Sequence, residues 1–132
     1  MTPVLTYPYV PGAVEWLTRV FGFEERRRIG EHRAQLSFGA GAVILADASG
    51  DRSCPTSDTG VIHSVMLRVD DIDRHYASVQ AAGVTALSEP TEMTYGERQL
   101  SVTDPARHRW TFTQSFTDVA PEDWGGETLA PW

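Results

Sequence analysis

The sequence predicts an α+β fold in which two βαβββ repeats form a cupped mixed sheet with a ligand cavity. Two observations predict it. A strand, a helix, a glycine and several strands run from about residue 5 to residue 46, and the same order recurs from about residue 63 to residue 114. The two helix entries, at residues 10–13 and 70–73, lie about sixty residues apart, as expected for an internal repeat. Cavities of this kind usually hold small molecules.

The first repeat is predicted over about residues 2–46. Residues 2–7 alternate between apolar and polar side chains, which indicates a strand. Pro11 suits the first position of a helix, and that helix carries one apolar stripe and stops at Gly22. Three further strands are predicted over residues 24–29, 32–38 and 42–46, with turns at residues 30–31 and 39–41.

A connector rich in Ser, Asp, Gly, Thr and Pro is predicted over residues 47–60, between the repeats. In the second repeat, about residues 61–114, Asp70 or Asp71 is expected to cap the helix that Gly83 ends. Strands are predicted over residues 61–69, 84–87, 97–102 and 108–114, the last two joined by an Asp-Pro turn. Residues 115–132 are predicted to form an irregular tail that docks through Trp124 or Trp132.

Composition indicates a single soluble globular domain of 132 residues, 41% hydrophobic and 22% charged. No apolar run reaches the ~20 residues that span a bilayer, and no N-terminal stretch has the pattern of a signal peptide. We therefore expect a cytoplasmic protein with no membrane partner. The net charge of −7 argues against nucleic acid and is compatible with a cationic ligand. The only basic run, residues 26–28, is expected on a solvated edge strand, and the single Cys54 cannot form an internal disulfide.

Three stretches of sequence resemble the vicinal oxygen chelate superfamily, which includes glyoxalases, extradiol dioxygenases, fosfomycin-resistance enzymes and bleomycin-binding proteins. They are Trp-Leu-Thr-Arg-Val-Phe-Gly-Phe at residues 16–23, Tyr-Gly-Glu-Arg at residues 95–98 and Asp-Pro-Ala-Arg-His-Arg-Trp-Thr-Phe at residues 104–112. The chain is most similar to a metal-poor glyoxalase/bleomycin-resistance branch, and the resemblance implies a homodimer. Arg107 stands where the family usually has glycine, which predicts a turn of different shape.

The resemblance bears directly on metal binding. In metal-dependent members, the first and last strands of each unit supply His and Glu side chains, and such chemistry needs three protein ligands with open positions. His63 matches one of those positions, and Thr111 stands at the last-strand position of its unit. The corresponding residues of the first unit, 2–4 and 43–45, include no His, Glu or Asp. We therefore expect neither metal nor cofactor and assign no catalytic residue.

Six side chains are candidates for contact with a ligand: His63, Thr111, Tyr95, Arg98, Tyr7 and Phe38. The aromatic rings can stack on planar or cationic groups. Gly96 permits a close backbone approach, while Arg98 either clamps an oxyanion or pairs with a nearby glutamate. Because side chains alternate along a strand, a cavity-facing Thr111 places Trp110 and Phe112 against the helices.

The sequence therefore predicts a non-enzymatic protein that binds a small organic molecule, cationic or aromatic, without metal. Antibiotic sequestration of the bleomycin-resistance kind is one form of this function. The alternative is a metal-dependent lyase or dioxygenase of the glyoxalase type, with a non-standard site that joins His63 to Glu92 or Glu97. A third possibility is a partner domain that contacts another protein through its tryptophan-bearing tail.

Overall fold

The computed structural model describes residues 1–129 of the chain, and it confirms the α+β class and the two βαβββ units. No helix in this part of the chain has the length and apolar character needed to cross a bilayer. The elements, in chain order, are β1 Val4–Tyr7, α1 Val10–Phe21, β2 Glu24–Ile29, β3 Arg33–Phe38, β4 Gly41–Asp47, β5 Ser64–Arg68, α2 Ile72–Ala81, β6 Thr91–Glu92, β7 Glu97–Thr103 and β8 Arg109–Ser115.

The strands form two four-stranded mixed sheets, one from each unit. Their orders are β1-β4-β3-β2 and β5-β8-β7-β6. In each sheet the first strand of the unit runs parallel to the last, and the remaining pairs are antiparallel. The helix of each unit crosses from the first strand, at one edge of the sheet, to the second strand at the other edge, and the two following strands bring the chain back beside the first. The predicted cup is therefore built from two sheets rather than from one continuous sheet.

Helix α1 begins and ends where its sequence predicts. Pro11 occupies the first turn, and Gly22 ends the helix in the left-handed conformation with φ 87°. The Gly22 N–H donates to the carbonyl of Thr18 at 3.1 Å, which satisfies one of the carbonyls that a helix end leaves free. Its apolar stripe packs into the core through Val10, Val14, Leu17, Val20 and Phe21.

Helix α2 is capped by Asp71, one of the two aspartates that the sequence offers. The Asp71 carboxylate accepts a hydrogen bond from the Arg74 backbone N–H at 3.1 Å.

The two units share one hydrophobic core. Phe21 of α1 contacts Trp110 edge-on at 5.8 Å and Phe112 at 4.8 Å, ring centroid to ring centroid.

The predicted strand at residues 84–87 is wrong. Only Leu87 makes a backbone bond to the neighbouring strand β7, donating its N–H to the Ser101 carbonyl at 3.0 Å. The edge strand is instead β6, Thr91–Glu92. The alternating apolar pattern at Val84 and Ala86 has another cause, because both side chains pack against the core without a ladder of backbone bonds.

The C-terminal tail contains a short 3-10 helix, Pro121–Trp124. Trp124 lies edge-on against Tyr95, with ring centroids 5.5 Å apart. The second residue that we expected to dock the tail, Trp132, lies outside the described residues.

The turn before β8 keeps a glycine-like shape although it contains Arg107, so the predicted change of shape is wrong. Arg107 adopts φ 71°, the left-handed conformation that glycine favours, and its N–H donates to the Asp104 carbonyl at 2.9 Å. A non-glycine residue in this region carries backbone strain of about 1–3 kcal/mol.

We expect Arg107→Gly to raise the free energy of unfolding by about 0.5–1 kcal/mol, since relief of strain exceeds the extra entropy of glycine in the unfolded chain. Urea denaturation followed by circular dichroism measures the change. Arg107→Ala is the matched control, because it removes the exposed side chain and retains the Cβ. An equal gain in both variants would show that the side chain, not the backbone, carries the cost.

Candidate functional site

Each sheet packs one face on the core, and no helix of residues 1–129 covers the other face. On β1, Leu5 and Tyr7 are buried, while Val4 on the opposite face is 40% exposed. We call the second face of each sheet its open face. The first open face consists of Val4, Thr6, Arg27, Ile29, Arg33, Gln35 and Ile44. The second open face consists of Ser64, Met66, Arg68, Gln99, Ser101, Arg109, Thr111 and Thr113.

The first open face carries a cavity of about 560 Å³, which is within the range of small-molecule sites. Its floor is apolar, because Ile44 and the 58%-exposed Ile29 contribute to it. Its polar groups follow the strand register, in which Gln35 lies opposite both Arg27 and Ile44. The arrangement can hold an apolar body and orient a polar group.

The second open face places Thr111 between polar and apolar neighbours. Its hydroxyl shares a hydrogen bond of 2.9 Å with the Ser101 hydroxyl. Met66 pairs with Thr111 in the parallel ladder and is 59% exposed. Beside them, the Thr113 hydroxyl donates to Glu97, which also pairs with Arg68 at 3.3 Å. Thr111 and Thr113 are both buried and their hydroxyls are already hydrogen-bonded, so the exposed, deformable thioether of Met66 is the accessible part of this region.

Tyr7 and Phe38 lie on the core side of their strands, together with Trp110, and not on the open faces. The Tyr7 hydroxyl donates to the Asp104 carboxylate at 2.6 Å. Burial, aided by the charge of Asp104, raises the pKa of Tyr7 above its ordinary value. Phe38 packs against Phe23 with ring centroids 5.1 Å apart.

Arg98 is half-buried and faces helix α2. Its guanidinium pairs with Asp73 at 2.8 Å and with Glu92 at 3.7 Å, so it joins α2 to the edge strand β6. This is the ion-pairing role that the sequence left open, with Asp73 as an additional partner.

Tyr95 precedes Gly96, and the latter makes the close backbone approach that the sequence predicts, since a Cβ there would lie 2.2 Å from the Thr117 carbonyl oxygen.

Sequence reasoning missed Asp104, which it treated only as part of a turn. One carboxylate oxygen accepts the backbone N–H groups of Ala106 and His108, both at 3.0 Å. The other accepts the Tyr7 hydroxyl at 2.6 Å and the Trp110 indole N–H at 2.9 Å. This buried carboxylate therefore joins the first strand of one unit to the last hairpin of the other.

The fold and its motifs also agree with a known family. A sequence model described as the glyoxalase/bleomycin resistance protein/dioxygenase superfamily matches residues 4–112. The chain belongs to this superfamily.

Solved structures and curated proteins supply its relatives. TioX from Micromonospora sp. ML1 is 31% identical with a TM-score of 0.74, over 87% of this chain and 97% of that one. A superfamily protein from Nocardioides is 18% identical with a TM-score of 0.76, over 98% of this chain and 88% of that one. An uncharacterised protein of Mycobacterium tuberculosis is 25% identical, with 90% of this chain and 76% of the relative covered.

Some members of the superfamily are metal-dependent, so the surroundings of His63 decide whether this side chain could bind a metal ion. Its exposed ring lies 5.8 Å from that of His108, whose Nε2 is engaged in donating to the Thr6 carbonyl at 2.7 Å. Cys54, His63 and His108 line one small cavity. Burial raises the pKa of the Cys54 thiol, which disfavours the thiolate that metals bind. Within residues 1–129, no three His, Cys, Asp or Glu side chains come together as metal ligands. The described side chains around His63 therefore do not supply the three ligands that a divalent cation needs.

His75 is a half-buried polar residue of helix α2 that packs among aromatic rings. Its ring packs at a tilt of 45° against Phe112, with centroids 4.1 Å apart, and meets Phe38 edge-on at 6.1 Å. Its Nε2 has no hydrogen-bond partner in the described part of the chain. Burial lowers the pKa of His75 to about 4.

We expect this histidine to make stability depend on pH. The pKa in the folded protein lies below the ordinary value of 6.5, so the unfolded chain takes up a proton first as pH falls. Its contribution is therefore fully present above about pH 6.5 and is lost as pH falls toward 4. Denaturant midpoints of wild type and His75→Phe, compared at pH 7.5 and pH 5, should show a smaller loss in the variant. Equal losses would contradict the assignment.

Proposed function

We propose that the protein binds a small organic molecule on its open sheet faces by packing and hydrogen bonding, without a metal ion. The observation that carries the proposal is the cavity of about 560 Å³ on the first open face, with its apolar floor and convergent polar groups. Superfamily members generally bind small molecules, which supports the same role here. The cytoplasmic location expected from the sequence is retained as part of the proposal.

The candidate residues take different parts in this proposal. Thr111 and His63 are proposed to contact the ligand, because Thr111 lies on the second open face and His63 is exposed beside its first strand. Tyr95 and Arg98 are proposed to hold the loop and the edge strand through Trp124, Asp73 and Glu92. Tyr7 and Phe38 are proposed to support the sheets from the core side, where both are packed.

We further propose a homodimer in which a second copy covers part of the open faces. Val4 and Met66 leave apolar surface on these faces outside the cavity, and such surface is costly in water. Dimers are frequent in the superfamily, which supports this arrangement. The mass in solution, measured by light scattering, should be twice that of one chain.

Sequestration is the simplest chemistry for such a site. A tight complex protects a cell by lowering the free concentration of a toxic compound, and no bond needs to change. Sequestration predicts that the compound is recovered unchanged from the complex, whereas a lyase or a dioxygenase returns a product. Mass spectrometry of the extracted compound separates the two functions.

Ligand binding is tested by thermal unfolding of chelator-treated protein with a panel of planar aromatic compounds of positive, neutral and negative charge. A ligand present at 100 times its Kd stabilises the folded state by about 2.7 kcal/mol, so the midpoint should rise saturably. Ile44→Asp places a charge on the cavity floor and should weaken binding at least ~10-fold, the equivalent of about 1.4 kcal/mol. The matched control is Val61→Asp, an exposed site outside the cavity.

Two results would contradict the proposal. In one, no compound of the panel shifts the unfolding midpoint. In the other, the midpoint rises only after zinc, nickel, iron or manganese is restored to the protein in stoichiometric amount, which would favour the metal-dependent alternative.

A further inference from the structure

The cavity of the first open face is lined by basic side chains although the chain as a whole is acidic. Arginines 27, 28 and 33 line it, and no aspartate or glutamate does. The whole chain has 18 acidic residues against 11 arginines. The net charge of the protein therefore does not describe the charge that a ligand meets at this cavity.

Two of these arginines have no counter-ion among residues 1–129. Arg28 is neutralised by Glu25, with contacts of 2.7 and 3.0 Å, and neighbouring Arg26 pairs with Glu24 at 2.8 Å. By contrast, Arg27 and Arg33 make no ion pair with any residue of the described range 1–129. Their guanidinium charges are therefore available to a ligand that enters the cavity.

A β-bulge directs Arg27 into the cavity. The pairing of β2 with β3 shifts by one residue between Glu25 and Arg27, so Glu25 lies opposite Leu36 while Arg27 lies opposite Gln35. Leu36 is a core residue, and Gln35 belongs to the open face. Without the extra residue, Arg27 would share the face of Glu25. Bulges re-aim side chains in this way next to functional sites.

The geometry suits a bound oxyanion. Arg33 lies two residues from Gln35 on β3, so Arg27 and Arg33 are diagonal neighbours, whose Cα atoms lie about 7–8 Å apart in antiparallel sheets. Both guanidinium groups can reach one oxyanion from that spacing, and their planar forks match its oxygens. Ile29 and Ile44 supply an apolar surface next to this point.

We infer that the ligand of the first open face carries an oxyanion group bound by Arg27 and Arg33, with its apolar body on Ile29 and Ile44. This inference rests on the proposed function and specifies the class of ligand. It replaces the cationic ligand expected from net charge, because Glu24 and Glu25 are already paired with Arg26 and Arg28, which leaves the charges of Arg27 and Arg33 to face the cavity.

Two fluorescent probes with the same aromatic body test the inference. 8-Anilinonaphthalene-1-sulfonate carries one sulfonate, and N-phenyl-1-naphthylamine is its neutral counterpart. Wild-type protein should bind the sulfonate about tenfold more tightly than the neutral probe, and added salt should reduce the difference. The double variant Arg27→Gln/Arg33→Gln should bind the sulfonate about tenfold more weakly and the neutral probe unchanged. Arg52→Gln, an exposed arginine in the connector, is the matched control.

The outcomes separate the two proposals. If wild type binds both probes equally, or if the double variant binds the sulfonate as tightly as wild type, the oxyanion inference is overturned while small-molecule binding stands. If wild type binds neither probe, both proposals fail for ligands of this size. If the double variant changes the mass in solution and not the sulfonate affinity, the arginines serve the subunit interface, and the inference is again overturned. Near-ultraviolet circular dichroism verifies that each variant is folded.

Discussion

Replacing Asp104 with alanine is expected to lower the free energy of unfolding by about 3–5 kcal/mol, because several donors lose their acceptor in the core. The Tyr7 hydroxyl and the Trp110 indole N–H both point at this carboxylate, at 2.6 and 2.9 Å. Tyr7 and Trp110 are buried, so water cannot replace the lost acceptor. Each unsatisfied buried donor costs about 1–3 kcal/mol.

Urea denaturation, followed by both circular dichroism and tryptophan fluorescence, measures this effect. Asp58→Ala, in the exposed connector, is the control and should change stability by less than about 0.5 kcal/mol. Tyr7→Phe removes one donor and should cost about 1 kcal/mol. In the double variant the two costs should not add, since removing the carboxylate already breaks this bond. A loss below about 1 kcal/mol in Asp104→Ala would contradict the role assigned to this residue.

Gly96→Ala is expected to lower the free energy of unfolding by about 2–3 kcal/mol, since strain and a backbone clash act together. Gly96 has φ 85°, and an added Cβ would lie 2.2 Å from the Thr117 carbonyl oxygen. The Thr117 backbone cannot simply move away, because the N–H groups of Phe116 and Thr117 donate to the Gly96 carbonyl at 3.0 and 3.3 Å. The methyl group should therefore detach the start of the tail from the β7 loop.

Gly50→Ala isolates the contribution of strain. Gly50 also has positive φ, 62°, and a Cβ there would meet nothing within 4 Å. Its substitution should cost only about 1 kcal/mol. Detachment of the tail should also disturb the packing of Trp124 on Tyr95, which limited proteolysis after residue 116 and tryptophan fluorescence detect. Equal losses in Gly96→Ala and Gly50→Ala would show that no close approach exists at residue 96.

The helices of this fold could be predicted because their signals are local. Pro11 and Gly22 mark one helix, and Asp71 with Gly83 marks the other. The prediction of a strand at residues 84–87 was wrong, because alternation of apolar and polar residues indicates which side chains are buried. It does not indicate whether the backbone pairs with a neighbouring strand. The division into two units could also be predicted, because each unit has its own helix with its own start and end signals.

The candidate site was less accessible to sequence reasoning because it depends on register. Alternation placed Trp110 on one face and Thr111 on the other. The bulge beside Arg26 breaks the same rule, so the direction of Arg27 could not be read from the sequence. The role of Asp104 depends on Tyr7, which is 97 positions away, and a contact of that kind leaves no local pattern.

The most direct measurement of the central claim is a map of backbone amide shifts in chelator-treated protein, titrated by NMR with the tightest compound of the aromatic panel. We expect saturable shifts that cluster at Gln35, Ile44 and Thr111, on the open faces of the two sheets. Shifts confined to the groove between Trp16 and Pro105, or shifts that require an added divalent metal, would contradict the claim that the open faces bind the ligand without a metal ion.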